Sequence, residues 1–309
     1  MKIKDVETKN NFFLAPMAGF TECVFRSICA EAGAGMVETE MVSAKGLVYK
    51  NENTVDLLRH GKEATTVQLF GSEPDILAQA VTFKELSSFA LIDLNMGCPV
   101  PKVASVGAGC VLMKDLKLAS SLISAVKLHT SKPVSVKCRL GWDRQSINVL
   151  DFAKMCEDSG ADILCVHGRT REQMYSGHTN WDMIARVKQT ISIPVVGNGD
   201  ITTQEQAKQA IAKYGVDGVM IGRGALGNPW IFSALSNTQF NYSKKDIILS
   251  HYSRVKDIWG ERFTVPFMRK HLVYYLKNAG IPRKIRAEMV LISEYDELIS
   301  KLNELLKNL

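Results

Sequence analysis

One unit repeats eight times in the first three quarters of this chain: a short apolar or β-branched run, a loop, then an amphipathic stretch. The runs are FFLAPMAG (12–19), GMVETEMV (35–42), TTVQLFG (65–71), LIDLNMG (91–97), PVSVKCRLG (133–141), ILCVHGRT (163–170), IPVVGNGD (193–200) and GVMIGRG (218–224). Helical patterns such as LASSLISAVKLH and TQEQAKQAIAKYG lie between them, several stopped by glycine or proline. Strands alternating with helices make a parallel sheet, and a count of eight favours an α/β chain closed into a (β/α)8, or TIM, barrel. A flavodoxin-like or Rossmann sheet is the alternative. Against it, the first strand lacks GxGxxG and nearly every strand ends on polar residues.

The repeat stops after about Asn237. Beyond it, SKKDIILSHYSRVKDIW, VPFMRKHLVYYLKNAG and RAEMVLISEYDELISKLNELLKNL read as helices, separated by Gly260 and by Gly280-Ile281-Pro282. The pattern predicts a barrel domain over 1–240 and a small all-helical C-terminal domain over 241–309. Charge divides the same way. Residues 241–309 hold 13 Lys/Arg and 8 Asp/Glu, whereas the first 240 hold 25 and 24. From Arg262 to Ala287 there are seven basic residues and no acid, with Phe263, Phe267, Tyr274 and Tyr275 interleaved. A solvated helix face would explain such charge, and so would a surface for a polyanion.

Cellular setting follows from what is missing. The opening MKIKDVETKN lacks the apolar core of a signal peptide, and no apolar run nears the ~20 residues of a membrane span. Seven cysteines, odd in number and without a CxxC pair, argue against a disulfide framework or structural zinc and for a reducing cytoplasm. The expectation is a cytoplasmic monomer with no metal.

In a barrel, the working groups come from loops at the carboxyl ends of the strands. Those ends offer Pro16-Met17-Ala18, Glu40, Gln68, Asn95 with Cys98, Lys137 with Arg139, His167 with Arg169, Asn198 to Asp200, and Gly222-Arg223. Any one is ordinary; repetition at strand after strand outlines a polar pocket. GNGD (197–200) and GRG (222–224) follow the seventh and eighth strands, where glycine loops commonly bind phosphate and Arg223 could add a bidentate contact. Either loop alone is a plain glycine turn. Lys137 ends an apolar strand, so its ammonium needs a negative partner: a neighbouring acid, or a cofactor that gains charge on reduction. Cys98 sits between Gly97 and Pro99, out of regular packing, with no histidine neighbour to ionise it. A neutral thiol there can donate a proton, and general acid is the reading.

These motifs together resemble the tRNA-dihydrouridine synthases, most closely their bacterial B-type branch. The resemblance rests on APMAG (15–19), VQLFG (67–71), LNMGCPVPKV (94–103), VKCRLGW (136–142), HGRTREQMYSG (167–177), GNGDI (197–201), VMIGRGALGNPWIF (219–232) and RKHLVYYLK (269–277). It implies a TIM barrel holding FMN and the NADPH-dependent reduction of uridine in tRNA to 5,6-dihydrouridine. Carried onto this sequence, Pro16, Met17 and Ala18 pack on the flavin, Gln68 bonds to it and Lys137 sits against its electron-rich edge. His167, Asn198, Gly199, Asp200, Gly222 and Arg223 hold its remaining polar part and phosphate. Asn95 orients the uracil, with Arg139 and Arg169 nearby, and Cys98 gives the proton to C5 after hydride reaches C6. Arg269, Lys270 and Lys277 grip the tRNA. Two departures stand out: many relatives read VTDxPFR where this chain has FTECVFR (20–26), and Ala104-Ser105-Val106 replaces basic residues after Val103. A dihydroorotate-dehydrogenase-like flavoprotein for free pyrimidines, a phosphosugar isomerase barrel and a non-catalytic tRNA-binding protein are the competing readings.

Overall fold

Eight parallel strands stand side by side in chain order in the computed structural model, which describes residues 1–61, 63, 65–237 and 242–307. They are β1 (Phe12–Leu14), β2 (Val37–Glu38), β3 (Thr65–Phe70), β4 (Leu91–Met96), β5 (Val134–Cys138), β6 (Ile163–His167), β7 (Val195–Asn198) and β8 (Gly218–Ile221). The ladder runs from β2 through β8 and back to β1. A single parallel bridge, Phe13 to Met36, closes the seam between β1 and β2, with Gly35 N–H donating to Phe12 O at 2.8 Å. The barrel is therefore the expected TIM type.

Strands β4 and β6 are buried along their whole length, as a parallel sheet covered on both faces requires. The second run is shorter than its apolar pattern predicts. Thr39 Oγ1 takes the N–H of Gln68 at 3.0 Å in place of a carbonyl, so the ladder breaks there and resumes only at Val42–Ser43. Helices α1 (Cys23–Glu31), α2 (Pro74–Ala80), α3 (Leu116–His129), α4 (Val149–Asp158), α5 (Trp181–Thr190) and α6 (Gln204–Tyr214) follow strands around the outside. The start of α6 is set by a Thr203–Gln206 capping box and its end by Gly215 in the left-handed region. The amino end of the barrel is closed by a hairpin the sequence did not disclose, Lys2–Ile3 against Val6–Glu7. Its Ile3 is buried against Phe13, Met36, Leu91 and Met220, which seals that end.

Among the described residues beyond 241 there are four further helices: α7 (Lys244–Trp259), α8 (Glu261–Asn278), α9 (Arg283–Leu291) and α10 (Tyr295–Leu305). The last predicted helix is thus two, because Ile292 turns extended and packs into the core. The predicted division between 240 and 241 lies outside the described residues. The helical segment does not stand apart from the barrel: Val24 and Ile28 of α1 belong to the same apolar cluster as Tyr252, Val255, Met268 and Leu272. No described helix is long and apolar enough to cross a membrane.

A buried polar hub joins the two parts. Glu22 caps α1 through Phe25 N–H at 2.8 Å, and His251 Nε2 of α7 lies 2.6 Å from its Oε1. His271 Nε2 of α8 is 3.4 Å from Oε2, while Tyr275 Oη meets His251 Nδ1 at 3.0 Å. Burial alone would raise the Glu22 pKa, but His251 and His271 outweigh it and hold the carboxyl well below its usual range. The lowered pKa means the folded state favours the carboxylate, so this stabilisation is full above the ordinary carboxyl range and is lost as pH falls through and below it. Glu22→Ala is expected to cost about 3–5 kcal/mol in a urea titration at pH 7. Glu22→Gln should lose less stability than wild type does between pH 5 and pH 3, on the order of the linkage seen for a paired carboxyl.

Candidate active site

The carboxyl ends of the strands open into a cavity of about 1050 Å³. Its floor is made by side chains that alternate inward along the strands. Asp93 and Asn95 lie on one face of β4, and Ser135 and Lys137 on the matching face of β5, with Asn95 paired to Lys137 in register. Ser135 Oγ donates to Asp93 Oδ1. Gln68 Nε2 donates to Asp93 Oδ2 at 2.8 Å and to Glu38 Oε1 at 3.3 Å. Asn95 Nδ2 donates to Gln68 Oε1 at 2.8 Å, and Asn95 Oδ1 accepts from the N–H groups of Gly97 (3.2 Å) and Cys98 (2.9 Å). One unbroken chain of hydrogen bonds thus leads from the barrel interior to the turn that carries Cys98.

The electrostatics of this floor are graded. Burial, reinforced by Asp93, pushes the Glu38 carboxyl well up, so Glu38 is the protonated member of that pair. Lys137 forms no ion pair among the described residues; its Nζ reaches Asn198 Oδ1 at 3.3 Å and its charge remains available to the cavity. Burial and then the cations Arg139, Lys137, Arg169 and Arg223 hold His167 well below its usual pKa, so the imidazole is neutral at pH 7. The Cys98 thiol is pushed up by burial, against the opposing pull of Val100 N–H, Arg139 and Lys137. It is therefore a protonated thiol in a cationic pocket, which suits a proton donor and not a nucleophile.

Loops after β7 and β8 form the far wall. Gly199 has φ +130°, and a Cβ there would meet Thr179 Oγ1 at 2.3 Å; a Cβ on Gly224 would meet Ile201 O at 2.2 Å. Both positions need glycine so that the loops can pack closely. Asp200, also at positive φ (55°), has its oxygens turned onto Arg169 Nη2 (2.8 Å) and Arg223 Nη2 (3.4 Å). Although burial works the other way, Thr179 N–H and Arg169 hold its pKa down. Asp200 therefore aims Arg223, and its own charge is spent on the two guanidinium groups.

Pro16, Met17, Ala18, Gln68, Asn95, Cys98, Lys137, Arg139, His167, Asn198, Gly199, Asp200, Gly222, Arg223 and Lys277 all border the cavity. Three predicted residues do not. Arg169 is 1% exposed and spent on Ser176 O, Gly177 O, Thr179 Oγ1 and Asp200, where it braces the 170–179 loop from beneath. Lys270 lays its Nζ 3.6 Å from the Phe267 ring centroid, within a cation–π contact. Arg269 is exposed on α8 and does not line the cavity. Arg139, predicted beside the substrate, also works inward: it donates to Gly97 O (2.9 Å), Thr170 O (2.9 Å) and Met174 O (2.7 Å). Sequence reasoning missed Glu38 and Asp93 as a buried pair, although a charge two residues before Asn95 in an apolar strand was a visible signal. It also missed Lys244, Tyr274 and Asn278, by which the helical segment forms one wall of the cavity.

The family model for dihydrouridine synthase matches residues 13–309. A probable tRNA-dihydrouridine synthase of Rickettsia conorii is 39% identical over 294 residues, covering 91% of this chain and 88% of the relative. A tRNA-dihydrouridine synthase B of Shewanella oneidensis is 37% identical over 299 residues, covering 93% and 92%. Among solved structures, a 6-hydroxypseudooxynicotine amine oxidase from Pseudomonas geniculata N1 superposes with a TM-score of 0.59 at 16% identity over 77% of this chain. The chain spans about half (49%) of that oxidase's length. A variant of NCR from Zymomonas mobilis superposes at 0.54 and 15% identity, covering 74% of this chain and 87% of that one. At such identities these two speak for the barrel alone.

The protonated state of Cys98 has a direct chemical readout. Alkylation by iodoacetamide, followed on the Cys98 peptide by mass spectrometry, is expected to be slow at pH 7–8. Its rate should rise only above the ordinary thiol range of about 8.5, because the raised pKa delays formation of the thiolate. A rate already at its plateau by pH 7 would contradict this assignment.

Proposed function

The chain belongs to the dihydrouridine synthase family, and from that premise we propose that it reduces uridine in tRNA to 5,6-dihydrouridine, using FMN and NADPH. The observation that carries the chemistry is the protonated thiol of Cys98, anchored by Asn95 at the rim of a cation-lined cavity. The donor set fits FMN. Lys137 offers an unpaired charge for the electron-rich edge of the ring, and Arg223 with the glycine loops of Gly199 and Gly222 offers a cradle for the phosphate. Pro16, Met17 and Ala18 supply an apolar surface for the ring. Neutral His167 and Asn198 supply polar contacts without adding charge.

FMN held by these residues would supply hydride chemistry toward C6 of the uracil, with NADPH as the source of electrons. Cys98 then gives its thiol proton to C5, where negative charge develops, and the raised thiol pKa keeps that proton in place at neutral pH. Lys137 offsets the negative charge on the cofactor side. Asn95 acts on the base through the turn it holds, since both ends of its amide are already engaged. Arg139 and Arg169 position the mouth loops and do not contact the substrate in this reading.

The tRNA partner is supported by the wall that Lys244, Tyr274, Lys277 and Asn278 add to the cavity, because a free pyrimidine needs no polyanion grip. The target base must leave its stack to reach the barrel floor, so an unpaired loop uridine suits this site. Seven free cysteines agree with a reducing cytoplasm, and we take the working form to be a monomer.

The deciding experiment is nucleoside mass spectrometry of an unmodified tRNA transcript treated with protein, FMN and NADPH. A uridine heavier by two hydrogens is expected, with Cys98→Ala slower by about 10²-fold or more. NADPH oxidation without that product, together with turnover of free dihydroorotate, would move the activity to free pyrimidines. Arg269→Gln with Lys277→Gln should weaken tRNA binding and lower its salt dependence by about one unit of slope for each phosphate no longer neutralised, with FMN content unchanged.

A further inference from the structure

Cys110 lies in a short 3-10 helix, Gly109–Lys114, twelve residues beyond Cys98 and outside every motif above. It is completely buried, the usual setting of a packing cysteine. Its bonds are not those of a packing residue. Its Sγ donates to Gly97 O at 3.1 Å, and its backbone N–H donates to Cys98 O at 3.0 Å. The other donor to Gly97 O is Arg139 Nε at 2.9 Å. Because Asn95 Oδ1 already accepts both N–H groups of Gly97 and Cys98, every backbone polar group of this dipeptide is engaged.

The turn is also gripped sterically. A Cβ on Gly97 would lie 3.1–3.2 Å from the backbone of Lys137 and Cys138. A Cβ on Gly109, at φ +67°, would lie 2.7 Å from Cys98 O. The Gly97–Cys98 peptide is therefore wedged between β5 on one side and the Gly109–Cys110 peptide on the other. Burial pushes the Cys110 pKa up to about 12, so its thiol keeps the hydrogen it donates.

We propose that Cys110 is a positioning residue for the reaction: with Arg139 it fixes the carbonyl of Gly97, and through it the direction in which the Cys98 thiol is presented to the substrate. Cys110 touches no substrate and carries no proton to it. The assignment rests on Cys98 being the proton donor.

The test compares wild type, Cys110→Ala and Cys110→Ser as FMN-loaded full-length proteins. The readouts are kcat and KM on tRNA transcript and the rate and pH profile of Cys98 alkylation. Lys102 separates the two cysteines into different tryptic peptides, so each is read independently. Removing the donor is expected to raise Cys98 alkylation and lower kcat, each about threefold to tenfold, the range of one hydrogen bond, with KM and FMN content unchanged. Serine, which restores a donor, should recover most of both effects. Should the alanine variant not fold, Cys110→Val fills similar volume without a donor and is read the same way. Equal alkylation and kcat in wild type and donor-free variants would overturn the proposal while Cys98→Ala remains inactive. Full activity in Cys98→Ala would instead overturn the reading of Cys98 itself.

Discussion

A parallel barrel buries its strands on both faces, so a polar side chain pointing inward must find its partner inside. Asp93 is where this chain meets that constraint. Its carboxyl is enclosed by Ser135, Gln68 and the protonated Glu38, and Gln68 hands the network on to Asn95. Asn95 in turn holds both N–H groups at the start of the Cys98 turn. Remove the carboxyl and Gln68 loses its fixed orientation, Asn95 its donor's target, and the turn its anchor. The position of the Cys98 turn is thus decided several bonds away, at a carboxyl buried inside the barrel.

The same economy governs the mouth. Long cations that could have served the substrate are bent back into the protein. Arg169 ties the 170–179 loop to Asp200, and Arg139 ties that loop to the Cys98 turn. The cations left facing the cavity are Lys137, Arg223 and, from the helical segment, Lys244 and Lys277. Rigid placement of a few groups over a preformed cavity is the arrangement expected where binding must orient a base and not merely attract it.

Most of the barrel was legible because its signals are local. Apolar runs of seven to nine residues separated by helix-period stretches need no tertiary information, and polar residues at the ends of parallel strands converge on one rim whatever their identity. What escaped was non-local or directional. Glu22, His251 and His271 are spread over most of the chain, and only folding brings them together. A sequence also cannot say which way a long side chain turns: Arg169 and Lys270 sit near the expected places, yet point into a loop and onto Phe267. Nothing in the sequence around Cys110 points to its acceptor, Gly97 O, which only the fold brings within reach.

The small hairpin at the amino end shapes how the catalyst must be fed. With Ile3 seated among Phe13, Met36 and Met220, the packed barrel is covered at that end and opens only at the other. On the proposed reading, reductant and nucleobase would share its one open rim, the rim to which the helical segment adds a wall. On the proposed reading, the nicotinamide has to depart before the uracil arrives, and each half of the cycle is completed alone, in the manner of a turnstile.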